Sequence, residues 1–191
     1  ISIMGAVNPS EKTYFETSVF SHAKNRFLWL LILMLSSTIT GTIITQYENA
    51  FAAIPLLVSF IPMLMDTGGN CGSQSSTLII RGLALDEIRF KDIFRVIFKE
   101  FRVALLVSLG LALANGLRIF IMYKDLKLAV VIGLSLICTV ILSKIIGCIL
   151  PLFAKKINLD PAIMAAPLIT TLVDTCSIII YFTIATHIFQ L

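Results

Sequence analysis

The chain is 191 residues long, 58% hydrophobic and only 14% charged, with a mean hydropathy of +0.97, whereas a soluble domain averages about half apolar and about a quarter charged. That balance excludes an ordinary soluble enzyme and points to a membrane protein that crosses the bilayer several times. A hydrocarbon core of ~30 Å takes about 20 helical residues, so there is room for about five spans and no sizeable soluble domain. The chain opens on Ile1 and not on Met, as a fragment or a processed form would, and its first 25 residues hold no apolar run of the signal-peptide kind. Cys71, Cys138, Cys148 and Cys176 are scattered through apolar segments with no CxxC spacing. They are expected as small buried residues, not as zinc ligands or disulfides.

In chain order, residues 8–26 are polar with apolar residues at Tyr14, Phe15, Val19 and Phe20. That pattern predicts an amphipathic helix capped by Ser10. A first span is predicted from about Phe27 to Tyr47. A second apolar run, Phe51 to Met65, is short for a span. It continues through a glycine-rich stretch to Ile80 and stops at Arg81. Residues 81–102 read as a charged loop with helical content. The third span runs from about Val103 to Tyr123, followed by a short turn at Lys124–Lys127. The fourth runs from about Leu128 to Phe153, with Pro151 able to bend it, and the fifth from about Pro161 to Phe189.

Of the 15 Lys and Arg residues, 12 fall on one side of these spans: Lys12, Lys24, Arg26, Arg81, Arg89, Lys91, Arg95, Lys99, Arg102, Lys155 and Lys156, with Lys144 snorkelling towards them. Only Arg118, Lys124 and Lys127 fall on the other. The bias predicts a cytoplasmic N-terminus and an outside C-terminus in a plasma or inner membrane. It also absorbs the net charge of +4, so no nucleic-acid partner is needed.

Two places set polar groups in oil. Between Pro62 and Thr77 stand Gly68, Gly69 and Gly72 together with Asp66, Asn70, Ser73, Gln74, Ser75, Ser76 and Thr77. Non-helical backbone survives at that depth only where protein or a water-filled cavity satisfies it. The glycines therefore predict either a broken helix or a helix that another backbone approaches closely. More hydrogen-bonding side chains are present than packing alone needs. The second place is Asp174, midway along the fifth span, with Thr170 and Thr171 one turn before it. An ionisable group at that depth is a functional candidate by default. Carboxylate, hydroxyl and carbonyl oxygens are hard ligands that suit Mg²⁺, Mn²⁺ or Ca²⁺. His22 and His187 read as interface residues, and Asn115 and Arg118 as helix–helix hydrogen bonding and snorkelling. No catalytic triad, HExxH or phosphate-cradling motif is present.

The stretch PMLMDTGGNCGSQSSTLIIRGLALDEI, Pro62 to Ile88, closely resembles a signature of MgtE-type magnesium channels. DPAIMAAPLITTLVDTCSIIIYF, Asp160 to Phe182, resembles their last span, and Gly5 to Leu30 resembles the segment entering their first span. The resemblance covers essentially the whole chain. It departs from the family pattern in having no cytosolic N domain and no paired CBS domains, as an isolated transmembrane domain or a short form would. It implies an all-α membrane protein with five transmembrane helices per subunit and a pore at the two-fold axis of a homodimer. Residues 1–26 would form a cytosolic connecting helix like the family's gating plug, with Glu11 and Glu16 as gating residues, and residues 27–191 the transmembrane domain. Asp174 would be the pore aspartate holding a largely hydrated Mg²⁺, with Thr170 beside it and Asp66 as a secondary metal site near one mouth. Gly69, Asn70, Gln74, Thr77 and Thr171 would line the path.

The function expected is inward conduction of Mg²⁺, with Mn²⁺, Co²⁺ or Ca²⁺ able to use the same site. The alternative within transport is a Na⁺-coupled Mg²⁺ exchanger of related fold. A membrane-embedded metalloenzyme acting on a lipid-linked substrate would need cationic phosphate-binding side chains at the depth of Asp174, and the sequence has none there, so no enzyme is expected. A structural scaffold would leave Asp174 without a role.

Overall fold

The computed structural model describes residues 13–164 and 166–190. Among them there is no strand. The helices are α1 (Val19–Thr45), the short α2 (Glu48–Ala53), α3 (Ile61–Ala84), α4 (Ile93–Tyr123), α5 (Leu126–Lys156) and α6 (Ala166–Phe189). Turns of 3₁₀ helix at Pro55–Phe60, Phe90–Asp92 and Pro161–Met164 lead into α3, α4 and α6. Every long helix bonds its own backbone, which is what a hydrocarbon solvent demands. Four of them, α1, α4, α5 and α6, are long and apolar enough to cross a membrane. The fifth long helix, α3, has 24 residues, but its polar stretch keeps it out of that class.

The start of the chain differs from the sequence expectation. Residues 14–16 form a turn, and the helix begins only at Val19. Ser18 caps it, accepting a hydrogen bond from the Ser21 amide at 3.2 Å. The expected Ser10 cap and Glu11 lie outside the described residues. From Val19, α1 continues without interruption into the predicted first span. The charged segment 81–102 is also more regular than expected: α4 starts at Ile93, so Arg95, Lys99, Glu100 and Arg102 ride on its first turns. Lys124 ends α4 in the left-handed region, with φ of 52°. Asp125 caps α5, accepting from the Leu128 amide at 3.0 Å. α5 remains helical through Pro151.

α5 is the central element, with α3, α4 and α6 packed around it. At one end Leu57, Phe60, Leu64, Ile119, Leu128, Ile132, Tyr181 and Phe182 form an apolar cluster, and the Tyr181 hydroxyl donates to the Leu57 carbonyl at 2.8 Å. At the other end Ile79, Leu83, Cys148 and Leu152 form a smaller one. Between the two lies a layer of small residues. A methyl group added to Gly147 would run into the backbone of Gly72, and one added to Gly68 would meet Thr139 and Val173 at 2.8 Å. Of the two readings of the glycine stretch, the structure adopts the second: α3 is an unbroken helix, and the glycines let α5 and α6 come close. The hydroxyls in this layer turn back onto their own helices, Ser143 donating to the Thr139 carbonyl at 2.6 Å and Ser177 to Val173 at 2.7 Å.

Lys144 does not snorkel to the membrane edge. Its ammonium is buried 3.9 Å from Oε2 of Glu100 and donates to Oγ of Ser75 at 3.4 Å, while Ser75 donates to Glu100 Oε2 at 2.8 Å. The cluster ties α3, α4 and α5 together. Two of the cysteines also correct the expectation of burial: Cys71 and Cys148 are buried, but Cys138 is exposed and Cys176 half-buried. All four are free thiols. Only Thr40 of α1 is buried; it shares a hydrogen bond of 2.7 Å with Thr175 of α6.

Two outcomes are expected from unfolding midpoints in detergent. Glu100→Ala leaves the Lys144 charge buried alone and destabilises by about 3 kcal/mol, and the double change Glu100→Ala with Lys144→Met recovers most of that loss. Gly147→Ala forces α5 off α3 and destabilises by about 1–3 kcal/mol. Gly110→Ala, where nothing lies within 4 Å of the new methyl, is neutral or mildly stabilising.

Candidate functional site

Steps of three and four residues put neighbours on one face of a helix. On α3 those steps join Asp66, Asn70, Ser73, Gln74 and Thr77, all off the face that buries Gly68, Gly72, Ser75 and Ile79. Asp66, Asn70, Gln74 and Thr77 are exposed. On α6 a four-residue step joins Thr170 to Asp174. The two helices meet because of Gly69: a methyl there would lie 2.9 Å from Cγ2 of Thr170. A glycine at that crossing brings the α6 polar pair level with Asp66 and Asn70.

The result is a cavity of about 470 Å³ lined by Asp66, Gly69, Asn70, Thr170 and Asp174, with Ile61, Pro62 and Met65 as its apolar side. Both carboxylates line this one cavity. Asn70 also belongs to a second cavity of about 510 Å³ that it lines with Ser73, Gln74 and Thr77. The two share a wall and make one polar trough along α3. Thr170 donates its hydroxyl hydrogen to the Pro167 carbonyl at 3.0 Å, and Thr77 donates to Ser73 at 2.9 Å. With their protons committed to their own helices, these oxygens have lone pairs left for a cation. The candidate ligand atoms are thus carboxylate, hydroxyl and amide oxygens, the kind a hard divalent cation takes. Among the described residues no three His, Cys, Asp or Glu side chains gather as a closed metal cage. The trough is open, with room for an ion that retains water.

Asp66, Gly69, Asn70, Thr170 and Asp174 therefore line one cavity, and Gln74 and Thr77 line the adjoining one. Thr171 lines neither cavity. It donates to the Pro167 carbonyl at 2.9 Å, and its carbonyl accepts from Thr175 at 3.1 Å, on the α1 side of α6. Glu16 lies in the turn before α1, where Thr13 donates to its Oε2 through the hydroxyl at 2.8 Å and the amide at 3.3 Å. These bonds hold its carboxyl below the ordinary range. Sequence reasoning missed the cluster of Ser75, Glu100 and Lys144. The signal was a lysine inside an apolar span, which needs an anion at its own depth.

The profile of the MgtE family, described as a divalent cation transporter, matches residues 61–184. The chain is 37% identical over 172 residues to the magnesium transporter MgtE of Bacillus subtilis, covering 90% of this chain and 38% of that protein. It is 35% identical over 182 residues to the magnesium transporter MgtE of Thermus thermophilus, covering 95% and 40%. Against that of Enterococcus faecalis the identity is 31% over 163 residues, covering 85% and 36%. The chain thus spans less than half the length of these relatives.

One consequence of the Glu16 geometry is measurable. A lowered carboxyl pKa means that the turn gains stability from the ionised form above the ordinary Glu value and loses it as pH falls through the lowered one. An NMR titration is expected to place the Glu16 midpoint below that of an ordinary glutamate, and Thr13→Val to bring it back up.

Proposed function

This chain belongs to the MgtE family of divalent cation transporters, and from that premise we propose that it conducts Mg²⁺ inward through a pore formed between two copies. The observation that carries the proposal is the open cavity that Asp66 and Asp174 line together, with no basic side chain among its described lining residues. α3 turns a polar face outwards in an otherwise apolar molecule, and a second copy related by a two-fold axis would cover that face. α3 would then count as a fifth span, lined by protein and water and not by lipid.

In this reading two Asp174 carboxylates, one from each copy, flank the path. Their field favours divalent over monovalent cations without stripping the hydration shell, which Mg²⁺ surrenders reluctantly. Thr170 completes the site with an oxygen acceptor, and Asp66 holds a second ion nearer one mouth. Asn70, Gln74 and Thr77 hydrogen-bond the passing hydration shell. An inside-negative potential supplies a divalent ion with about 4.6 kcal/mol per 100 mV, enough to drive uptake without a coupled source. The basic excess on the side of Arg81 to Arg102 and Lys155 sets that side in the cytoplasm, in a plasma or inner membrane. Glu11 and Glu16, on the segment before α1, are the proposed gating residues, and of the expected 1–26 connecting segment the part before Val19 would be what moves, because α1 runs on from Val19 into the span. Mn²⁺, Co²⁺ and Ca²⁺ would share the site with lower selectivity.

The test is Mg²⁺ uptake into proteoliposomes under a fixed inside-negative potential with no Na⁺ present. Potential-driven uptake is expected, and Asp174→Ala is expected to lower it or its preference for divalent ions by about tenfold, the equivalent of about 1.4 kcal/mol. Flux that appears only with Na⁺ would assign the chain to an exchanger instead, and equal flux in parent and variant would remove Asp174 from the path.

A further inference from the structure

A third cavity lies on the other side of α3, between α3, α4 and α5. It encloses about 330 Å³, and its walls are Met63, Leu111, Ala114 and Leu136. Its polar lining is Thr67, Asn115 and Arg118, with no acidic side chain. Asn115 and Arg118 stand three residues apart on α4 and therefore on one face. Nε of Arg118 donates to Oδ1 of Asn115 at 3.1 Å, so the guanidinium is pinned beside the groove. One of its two terminal nitrogens, Nη2, reaches the Met63 sulfur at 4.0 Å, a weak acceptor that does not answer a full charge. Among the described residues no carboxylate pairs with Arg118. Nδ2 of Asn115, shielded from solvent, has no hydrogen-bond partner there either. Arg118 stands five residues before Tyr123, the end of α4, roughly 7–8 Å along the helix axis, so it lies near the end of an apolar helix, where a headgroup could reach it.

We propose that this groove is a binding site for an anionic phospholipid of the leaflet at the α4–α5 turn. Its phosphodiester sits on the Arg118 fork, and one acyl chain lies along Met63, Leu111, Ala114 and Leu136. A guanidinium presents two parallel N–H donors that match two phosphate oxygens, which is stronger and more directional than a lone ammonium. Asn115 positions the fork. A small turn of its amide about the broad terminal torsion would let Nδ2 reach a headgroup oxygen. The absence of an acidic side chain from the lining favours a headgroup with net negative charge, because a choline or ethanolamine cation would meet no counter-charge. The site does not depend on Asp174 or on the ion path, and a bound lipid would act as a wedge holding α4 against α3 and α5.

Native mass spectrometry of the whole chain released from detergent tests the site, with phosphatidylglycerol, phosphatidylcholine and inorganic phosphate as probes. Phosphatidylglycerol is expected to be retained over phosphatidylcholine, and Arg118→Gln to weaken that retention by roughly tenfold, as befits the loss of one charge-assisted contact. Lys124→Gln, a basic residue at the same end but outside the groove, should leave it unchanged. Arg118 is exposed, and an unaltered unfolding midpoint of the variant would exclude misfolding as the cause. Equal retention of the two lipids, or retention that Lys124→Gln lowers as much as Arg118→Gln, would overturn the proposal in favour of diffuse surface charge. Displacement of the lipid by millimolar inorganic phosphate would make it a site for a free anion. Loss of dimer in Arg118→Gln with lipid retention intact would mean that a second copy, not a lipid, covers the groove.

Discussion

The close approach of α3 to α5 at Gly72 and Gly147 is the constraint on which the rest of the molecule depends. No side chain intervenes there, and a methyl on Gly147 would collide with the Gly72 backbone. That contact fixes the rotation of α3 about its own axis. With 3.6 residues per turn, turning Gly68, Gly72 and Ser75 inwards turns Asp66, Asn70, Gln74 and Thr77 outwards. The polar trough is therefore a consequence of how the glycines pack. Gly69, between the two faces, admits α6 and brings Thr170 and Asp174 to the edge of the same trough.

Two sets of charges are handled in opposite ways. Glu100 and Lys144 are buried, paired and bridged by Ser75, so their charges are spent on each other and on holding three helices in register. Asp66 and Asp174 share an open cavity with hydroxyl and amide oxygens and no basic side chain among its described lining residues. A neutralised pair in the interior serves architecture, because no net field remains to act on anything else. A pair with no basic side chain beside it, facing open space, can attract a mobile cation, and that contrast is the ground for proposing the second site as the ion site. The lipid-facing surface shows the same logic: α1 and α4 expose Leu, Ile, Phe and Met along most of their length, as a hydrocarbon solvent permits.

Much of the fold was legible because hydropathy is a linear signal. Long apolar runs cannot avoid becoming helices in lipid, so α5 falls within a turn of its expected bounds and α4 and α6 end at Tyr123 and Phe189 as expected, while α4 begins ten residues early and α6 five residues late. The misreadings came from segments in which local and tertiary signals compete. The apolar spacing at Tyr14, Phe15, Val19 and Phe20 suggested a helix, yet residues 14–16 form a turn that Thr13 and Glu16 stabilise. Residues 81–102 read as a charged loop with helical content because charge density is high, but Ile93, Val96 and Ile97 recur at helical spacing and α4 itself begins at Ile93. Lys144 looked like a snorkelling residue because its partner, 44 positions earlier, has no sequence signature.

The sequence by itself determined that this is a helical membrane chain, that Asp174 and the Pro62–Thr77 stretch carry polar groups at hydrocarbon depth, and that hard oxygen donors dominate them. Those are properties of residue type and of position along an apolar run, and one dimension suffices to read them. Only the tertiary structure decided that the glycines pack an unbroken helix, that Asp66 and Asp174 share one cavity while Thr171 turns away, and that Glu100 neutralises Lys144. Each of these depends on the rotation and depth of helices relative to one another. Contacts between helices far apart in sequence set both, and no periodicity within one segment encodes them.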